Sequence, residues 1–343
     1  MISELERLAL KDTLFCSHSF HWGHSMKKCY MAAVIGCSAL IVCAQTQAEE
    51  LKVYGRAHLG VENSDTGSGS DTSVESYASR MGIKGSADID TGISAFYKLE
   101  FQVEMSENDN DGKSEENITA RSQYVGVKGR FGQLLLGRDD TPMKKSQGKV
   151  DLMNDFSADI KSFFVGENRL GDTLQYTTPS LNHLQFTVSY IAEDNSKQNG
   201  ESGLSMAASY GDSKLKKTAI YASVARDEEV AGQDITRVTV QGKVAKVTLG
   251  ASYQQSEAIG SNETVDSYMA SAALKLDNGY KLLAQYQNSD GASGKLKDSG
   301  DAASIGVEKS LSKQARMYLW YTKIDLDNSS DQDHMALTLR YDF

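Results

Sequence analysis

Proline and cysteine are scarce, and what there is sits unevenly. Of 343 residues only two are proline, and all four cysteines, Cys16, Cys29, Cys37 and Cys43, precede Glu49. From Glu49 onward the chain therefore has no disulfide scaffold, thiolate zinc site or cysteine nucleophile to offer. No internal segment reaches the roughly 18 consecutive apolar residues of a spanning helix. A mean hydropathy of -0.43 likewise excludes a bundle of membrane helices, while it suits strands with one polar face. Positive charge is in the minority: Lys and Arg number 36 against 46 Asp and Glu, a net charge of -10. Residues 49–343 alone hold 32 basic and 43 acidic side chains, a net -11, which speaks against nucleic acid as a partner. Histidine is sparse too, and from Glu49 on His58, His183 and His334 stand isolated, without partners for a catalytic triad or a metal site. No nucleophile elbow is present, so the expectation is no enzyme, no metal and no cofactor.

The one long apolar run, Met31 to Ala44, follows Met26, Lys27 and Lys28 and ends near the small-residue stretch Thr46-Gln47-Ala48. That succession is a secretory signal peptide. Residues 26–48 are therefore assigned as the leader, residues 1–25 as an extension upstream of the true start, and the mature chain begins near Glu49.

What fills the mature chain is alternation. Leu51, Val53, Gly55, Ala57, Leu59 and Val61 share one face, and Lys52, Tyr54, Arg56, His58 and Glu62 the other. Period two means a strand. Ile93 to Glu104, Leu184 to Tyr190, Val247 to Tyr253, Tyr280 to Gln287 and His334 to Phe343 repeat it, with 29 glycines and 16 tyrosines in attendance. Tight turns are marked at Asp90-Thr91-Gly92, Gly211-Asp212-Ser213, Asp277-Asn278-Gly279 and Leu311-Ser312-Lys313, where glycine and asparagine supply the positive φ a hairpin needs. Polar loops fall at 63–73, 106–117, 193–202, 226–233, 259–263, 288–301 and 325–332, so long and short connections alternate. Counting segments gives about sixteen strands: 51–63, 76–88, 93–105, 118–128, 133–138, 172–178, 184–192, 204–211, 215–226, 234–243, 247–257, 264–276, 280–288, 301–310, 314–325 and 332–343. Each strand with its connection takes roughly 18 residues, enough for a tilted spanning strand of about 9 to 11 plus a loop.

A soluble sandwich also alternates, and periodicity alone does not separate it from a membrane barrel. Three features favour the barrel: the leader, the loop asymmetry and the closing strand. There Met335, Leu337, Leu339, Tyr341 and Phe343 alternate with polar partners, an aggregation hazard unless the strand closes a barrel.

One stretch breaks the alternation. Asp139 to Arg169 carries six acidic and five basic side chains, Pro142 and the pair Phe163-Phe164, without strand pattern. A loop of this length inside a compact protein is usually functional, and it is expected to fold inward with the strands as a wall around it. The acidic run Glu107 to Gly112 starts like a calcium loop, but Ile118 stands where a bidentate Glu is wanted, so a solvated loop is the better reading.

Several pieces together resemble the Gram-negative trimeric general porins. They are Val53-Tyr54-Gly55-Arg56-Ala57, Ser79-Arg80-Met81-Gly82-Ile83-Lys84-Gly85, Tyr124-Val125-Gly126-Val127-Lys128-Gly129 with Leu136-Gly137-Arg138, Leu174-Gln175-Tyr176-Thr177-Thr178-Pro179, and Leu339-Arg340-Tyr341-Asp342-Phe343. The resemblance implies an all-β, sixteen-stranded antiparallel transmembrane barrel in the outer membrane, three barrels per particle, and a third external loop folded into each lumen. That loop falls on Asp139 to Arg169. The wall cluster it implies is Arg56, Arg80, Arg121 and Arg169, with Lys84 beside them, and Phe343 would be the assembly signal. The loop carboxylates Asp151, Asp155 and Asp159 are assigned by charge and position, because the Pro-Glu-Phe-Gly-Gly-Asp pattern of enterobacterial members is missing. Three preceding lysines, Lys144, Lys145 and Lys149, run against a cation preference.

The function implied is passive diffusion of ions and small hydrophilic solutes. The alternatives are a substrate-specific channel, which would want an aromatic slide or a dense basic ladder, and an adhesin or phage receptor using the acidic outer loops. Implied partners are two further copies of the chain, outer-membrane lipid and lipopolysaccharide, and the β-barrel assembly machinery.

Overall fold

The computed structural model describes residues 51–106 and 117–343. The leader, the upstream extension, all four cysteines and the acidic run Glu107 to Gly112 lie outside the described residues.

The described chain is almost wholly strand. In order come β1 (Lys52–Asp65), β2 (Ser70–Ser76), β3 (Arg80–Asp90), β4 (Ile93–Val103), β5 (Ile118–Gly129), β6 (Gly132–Asp140), β7 (Arg169–Thr177), β8 (Leu184–Ile191), β9 (Gly203–Gly211), β10 (Ile220–Val230), β11 (Gln233–Val244), β12 (Val247–Ala258), β13 (Thr264–Lys275), β14 (Tyr280–Ser293), β15 (Asp298–Ser310), β16 (Ala315–Leu326) and β17 (Gln332–Asp342). Both β2 and β3 pair antiparallel with β1, each strand from β3 on pairs antiparallel with its successor, and β1 pairs with β17, so the sheet closes on itself. Closure removes the exposed edges that an apolar terminal strand would otherwise leave.

Segments β2 and β3 are one barrel strand with a break in it. Both pair with β1, β2 opposite Leu59 to Asp65 and β3 opposite Lys52 to Arg56. At the break Ala78 adopts φ +50, and Ser79 supplies from its side chain what the ladder loses: its Oγ accepts the His58 N–H at 2.9 Å. Counted this way the barrel has the sixteen strands that the alternation predicts.

The faces are inverted relative to a soluble protein. Leu51, Val53, Val125, Leu136, Phe186, Val240, Leu249, Ile305 and Leu337 are all exposed on the outer face. The inner face buries Ser252, Gln254 and Ser256 on β12, Gln285 and Gln287 on β14, and Thr322 and Thr338 on β16 and β17. Water cannot be the medium around so much aliphatic surface. Phe131, Tyr280, Tyr341 and Phe343, all exposed, ring the short-turn end, where amphipathic or large aromatic side chains suit a membrane interface.

Several connections differ from the sequence expectation: strands run into the expected loops 63–73 and 288–301, leaving 66–69 and 294–297 as the connections. Strands β10 and β11 run on to Val230 and from Gln233, so the expected loop 226–233 is a hairpin turned at Ala231 and Gly232. Paired strands can continue past lipid into water because their backbone groups are already satisfied. At the other end the expected strand 215–226 begins only at Ile220, and Asp212 to Ala219 form an eight-residue turn.

Candidate functional site

Residues 141–168 leave the wall between β6 and β7 and fill part of the barrel interior. The loop opens with a helix, Pro142–Ser146, whose start is set by Thr141: its Oγ1 accepts the Lys144 N–H at 3.2 Å, and Pro142 follows where a missing N–H costs nothing. Two acids then tie the loop to itself. The Asp151 carboxylate accepts the N–H groups of Met153 at 3.0 Å and Ile160 at 3.1 Å. The Asp159 carboxylate accepts those of Asp155 at 2.9 Å and Lys161 at 3.0 Å. Burial, with Asp159 nearby, pushes the Asp151 carboxyl well above the usual carboxylate range.

The loop is docked by its apolar side chains. Val150, Met153, Phe156, Ala158, Ile160, Phe163 and Phe164 are buried against Tyr77, Met269, Leu283, Ala302, Tyr318, Trp320 and Ile324 of the wall. Burying side chains of this size is worth about 1.5–3 kcal/mol each, enough to fix the loop in one position. Room for it is built into the wall: a Cβ on Gly250 would sit 3.0 Å from both Val150 methyl carbons. Gln285 donates to the Ala158 carbonyl at 2.9 Å and accepts from the Leu152 N–H at 2.7 Å. On the other flank Arg237, fully buried on β11, pairs with Glu167 at 2.6 Å, donates to the Val165 carbonyl at 2.8 Å and stands 5.6 Å from the Phe164 ring centre.

Between loop and wall lies a cavity of about 760 Å³. Its lining includes Arg56, Arg80, Arg121 and Arg169 together with Asp151, Asp155 and Asp159, so seven of the eight residues assigned to the constriction meet there. They do not play equal parts. Asp155, held at φ +73, is the acid that touches the wall, 3.3 Å from Arg56 and 3.2 Å from Arg80. Arg121 pairs instead with Glu100 on the neighbouring strand at 3.0 Å and with Gln102 at 3.0 Å. Arg169 pairs with Asp140 at the loop's root, 2.9 Å away. Asp151 and Asp159 turn their oxygens to the loop itself, to its backbone N–H groups and, for Asp159, also to the Lys161 ammonium at 3.2 Å. Lys84 is not in this lining; its ammonium lies 5.3 Å from the Tyr54 ring centre, and its register partners are Lys52 and Lys98.

Counting the lining gives nine cationic side chains, Arg56, Arg80, Arg121, Lys144, Lys145, Lys149, Lys161, Arg169 and Lys214, against five carboxylates, Asp140, Asp151, Asp155, Asp159 and Glu167. An acidic protein thus encloses a basic interior. Walls of low dielectric constant around such a cluster focus its field into the aqueous space.

Glu100, Glu167 and Arg237 went unassigned from the sequence. Arg237 carried a usable sign, since it is a long charged side chain placed mid-strand in the inward series Ile235, Arg237, Thr239 and Gln241 of β11. The dock for the loop is also written in the pattern: Tyr318, Trp320 and Ile324 are apolar on a face that is otherwise polar.

A family model described as Gram-negative porin matches residues 31–329. Major outer membrane protein P.IB of Neisseria meningitidis serogroup B is 28% identical over 193 residues, covering 52% of this chain and 53% of that protein. The chain thus spans about half the length of the curated relatives it matches. Among solved structures, an anion-selective porin from Comamonas acidovorans superposes with a TM-score of 0.68 at 18% identity, covering 86% of this chain and 99% of that one. Salmonella typhi OmpF, in complex with daunomycin, superposes with a TM-score of 0.70 at 18% identity, covering 86% and 98%.

Proposed function

This chain belongs to the Gram-negative porin family and is an outer-membrane β-barrel, and we propose from that premise that it is a water-filled channel for passive diffusion of small hydrophilic solutes with a preference for anions. The observation that carries the sign is the lining of the cavity between loop and wall, nine cations against five carboxylates. Rings of cationic side chains select for anions by field rather than by a tailored binding pocket. The Comamonas acidovorans porin of the same fold is anion-selective, which agrees with this reading.

A sugar-specific channel finds no support in the aromatic residues. Tyr77 and Tyr318 pack edge to face on Phe156, Trp320 lies tilted against it, and all four are buried in the dock rather than exposed as a slide. A homotrimer, export by a leader at residues 26–48, folding by the β-barrel assembly machinery and contact with lipopolysaccharide belong to the same reading, as does the absence of a catalytic role.

The test is the zero-current potential of purified protein in planar bilayers separated by a tenfold potassium chloride gradient. A potential of the sign that chloride permeation produces is expected. A cation-signed potential at low ionic strength would overturn the anion preference, and a protein that gives no conductance steps would overturn the channel.

A further inference from the structure

The turn between β9 and β10 is the longest at the short-turn end, and it is built to hold a shape. Its residues Asp212 to Ala219 carry three lysines within four positions, Lys214, Lys216 and Lys217. The Asp212 carboxylate accepts the backbone N–H groups of all three, at 2.9, 3.1 and 3.2 Å, and the Thr218 hydroxyl accepts the Asp212 N–H at 2.8 Å. Those backbone donors, Lys214's first, hold the Asp212 carboxyl below the usual range. A charged aspartate that collects three donors fixes the turn, and the lysine side chains are left to point away from it.

Two of them, Lys214 and Lys216, line the barrel interior. Ser213 and Lys214 line the cavity between loop and wall, together with Arg56 and Lys149. With Leu215 and Lys216 they also line the adjoining cavity of about 820 Å³ toward the short-turn end. The inward loop enters from one mouth and this turn from the other, and Lys149 of the loop meets Lys214 of the turn. Burial and then the charge of Lys214 hold the Lys149 ammonium below its ordinary range. Among the described residues neither lysine has a carboxylate within ion-pairing distance, whereas Arg56 has Asp155 and Asp342. A fold that holds two ammonium groups and a guanidinium around one aqueous gap stores repulsion, which an anion in the gap relieves.

We propose that the β9–β10 turn is a second selectivity element, and that Lys214, Lys149 and Arg56 together form a lumenal site for a multivalent oxyanion of the phosphate class. The site deepens the channel reading and rests on it. It differs from the loop-and-wall arrangement because one of its three charges, Lys214, comes from the opposite mouth of the barrel. Phosphate suits it better than chloride, since its several oxygens can accept from ammonium groups on two elements at once while chloride offers one centre.

The experiment records single channels of the full-length protein in potassium chloride at pH 7 while inorganic phosphate is added. In the native protein phosphate is expected to reduce the chloride current, most strongly when it is added from the short-turn side. Lys214→Ser and Lys149→Ser should each raise the concentration for half block by about tenfold, as loss of one charge-assisted contact implies. Lys217→Ser, which lines neither cavity, should block like the native protein. Heat-modifiable migration on detergent gels verifies that each variant has folded. Channels that conduct but show no phosphate block, or a Lys214→Ser variant blocked as strongly as the native protein, would overturn the site while leaving the channel intact. Absence of any conductance would instead overturn the channel reading.

Discussion

The ring of Phe343 covers Gly55: a Cβ at residue 55 would fall 2.4 Å from its Cζ, and the two residues exchange N–H···O bonds of 3.0 and 3.1 Å. Phe343 after β17 and Gly55 near the start of β1 thus make the seam that shuts the barrel, and Gly55 is small enough to seat the ring.

Removing Phe343 should therefore cost closure rather than surface. We expect deletion of Phe343 to lower the folded barrel recovered from membranes several-fold, and Gly55→Leu to do the same by evicting the ring. Phe343→Tyr should be tolerated, because the ring and the backbone bonds persist. Equal yields of heat-modifiable barrel for all three at matched expression would show that the seam is ordinary strand pairing.

Arg237 and Glu167 pin the second flank of the inward loop, 2.6 Å apart with Arg237 fully buried. Burial pushes the Glu167 carboxyl up, and Arg237 is the first charge holding it down. Arg237→Met strands that carboxylate, a change that typically costs about 3–5 kcal/mol. The expected result is a lower temperature for the folded-to-unfolded gel shift, together with noisier open-channel current as the loop moves. Arg237→Met with Glu167→Gln should recover much of the loss. A single variant with native melting and quiet channels would show that the apolar dock alone holds the loop.

How much of this was legible beforehand follows from which forces are local. Strand positions came through because alternation between lipid and lumen is a nearest-neighbour pattern, and the loop came through because it interrupts that pattern. Arg56, Arg80 and Asp155 were singled out by charge and segment alone, and the structure brings both arginines within ion-pairing distance of Asp155. The division of labour in the cluster was not legible, because whether Arg121 reaches the loop or pairs with Glu100 depends on register between β4 and β5, which includes an irregularity between Leu99 and Phe101. The lysine turn was missed for a related reason. Lys214-Leu215-Lys216 alternates like a strand, and only the three backbone donors converging on Asp212 turn it into a fixed bend.

The outer face of the barrel carries the trimer prediction. Protein extracted gently from membranes should migrate unheated at the position of three chains and fall to one after boiling, with loss of β signal in circular dichroism. Native mass spectrometry checks the stoichiometry independently. A monomer in both would separate the barrel's stability from assembly and count against the homotrimer.

The last prediction sorts the loop acids by what their oxygens do. Asp155 faces Arg56 and Arg80 directly, so Asp155→Asn removes one negative charge and leaves Arg80 without its carboxylate while Arg56 keeps Asp342, and it should shift permeability further toward anions. Asp151 is buried and accepts from the loop's own backbone rather than facing the wall arginines, so Asp151→Asn should alter the field along the ion path less than Asp155→Asn does. Its effect should appear in loop stability instead. Replacing Arg80 and Arg121 with Ser removes bulk and two positive charges, so conductance should rise while permeability moves toward cations. Low salt is where these shifts are largest, since the screening length grows from about 8 Å at physiological ionic strength to about 30 Å at 0.01 M. Reversal potentials of the three variants in a salt gradient decide the matter: Asp155→Asn must move in the opposite direction to the arginine pair, with Asp151→Asn near the native value. If Asp151→Asn instead moves selectivity as far as Asp155→Asn, both carboxylates face the ion path as charges, and the division between a wall-facing acid and a loop-tying acid is wrong.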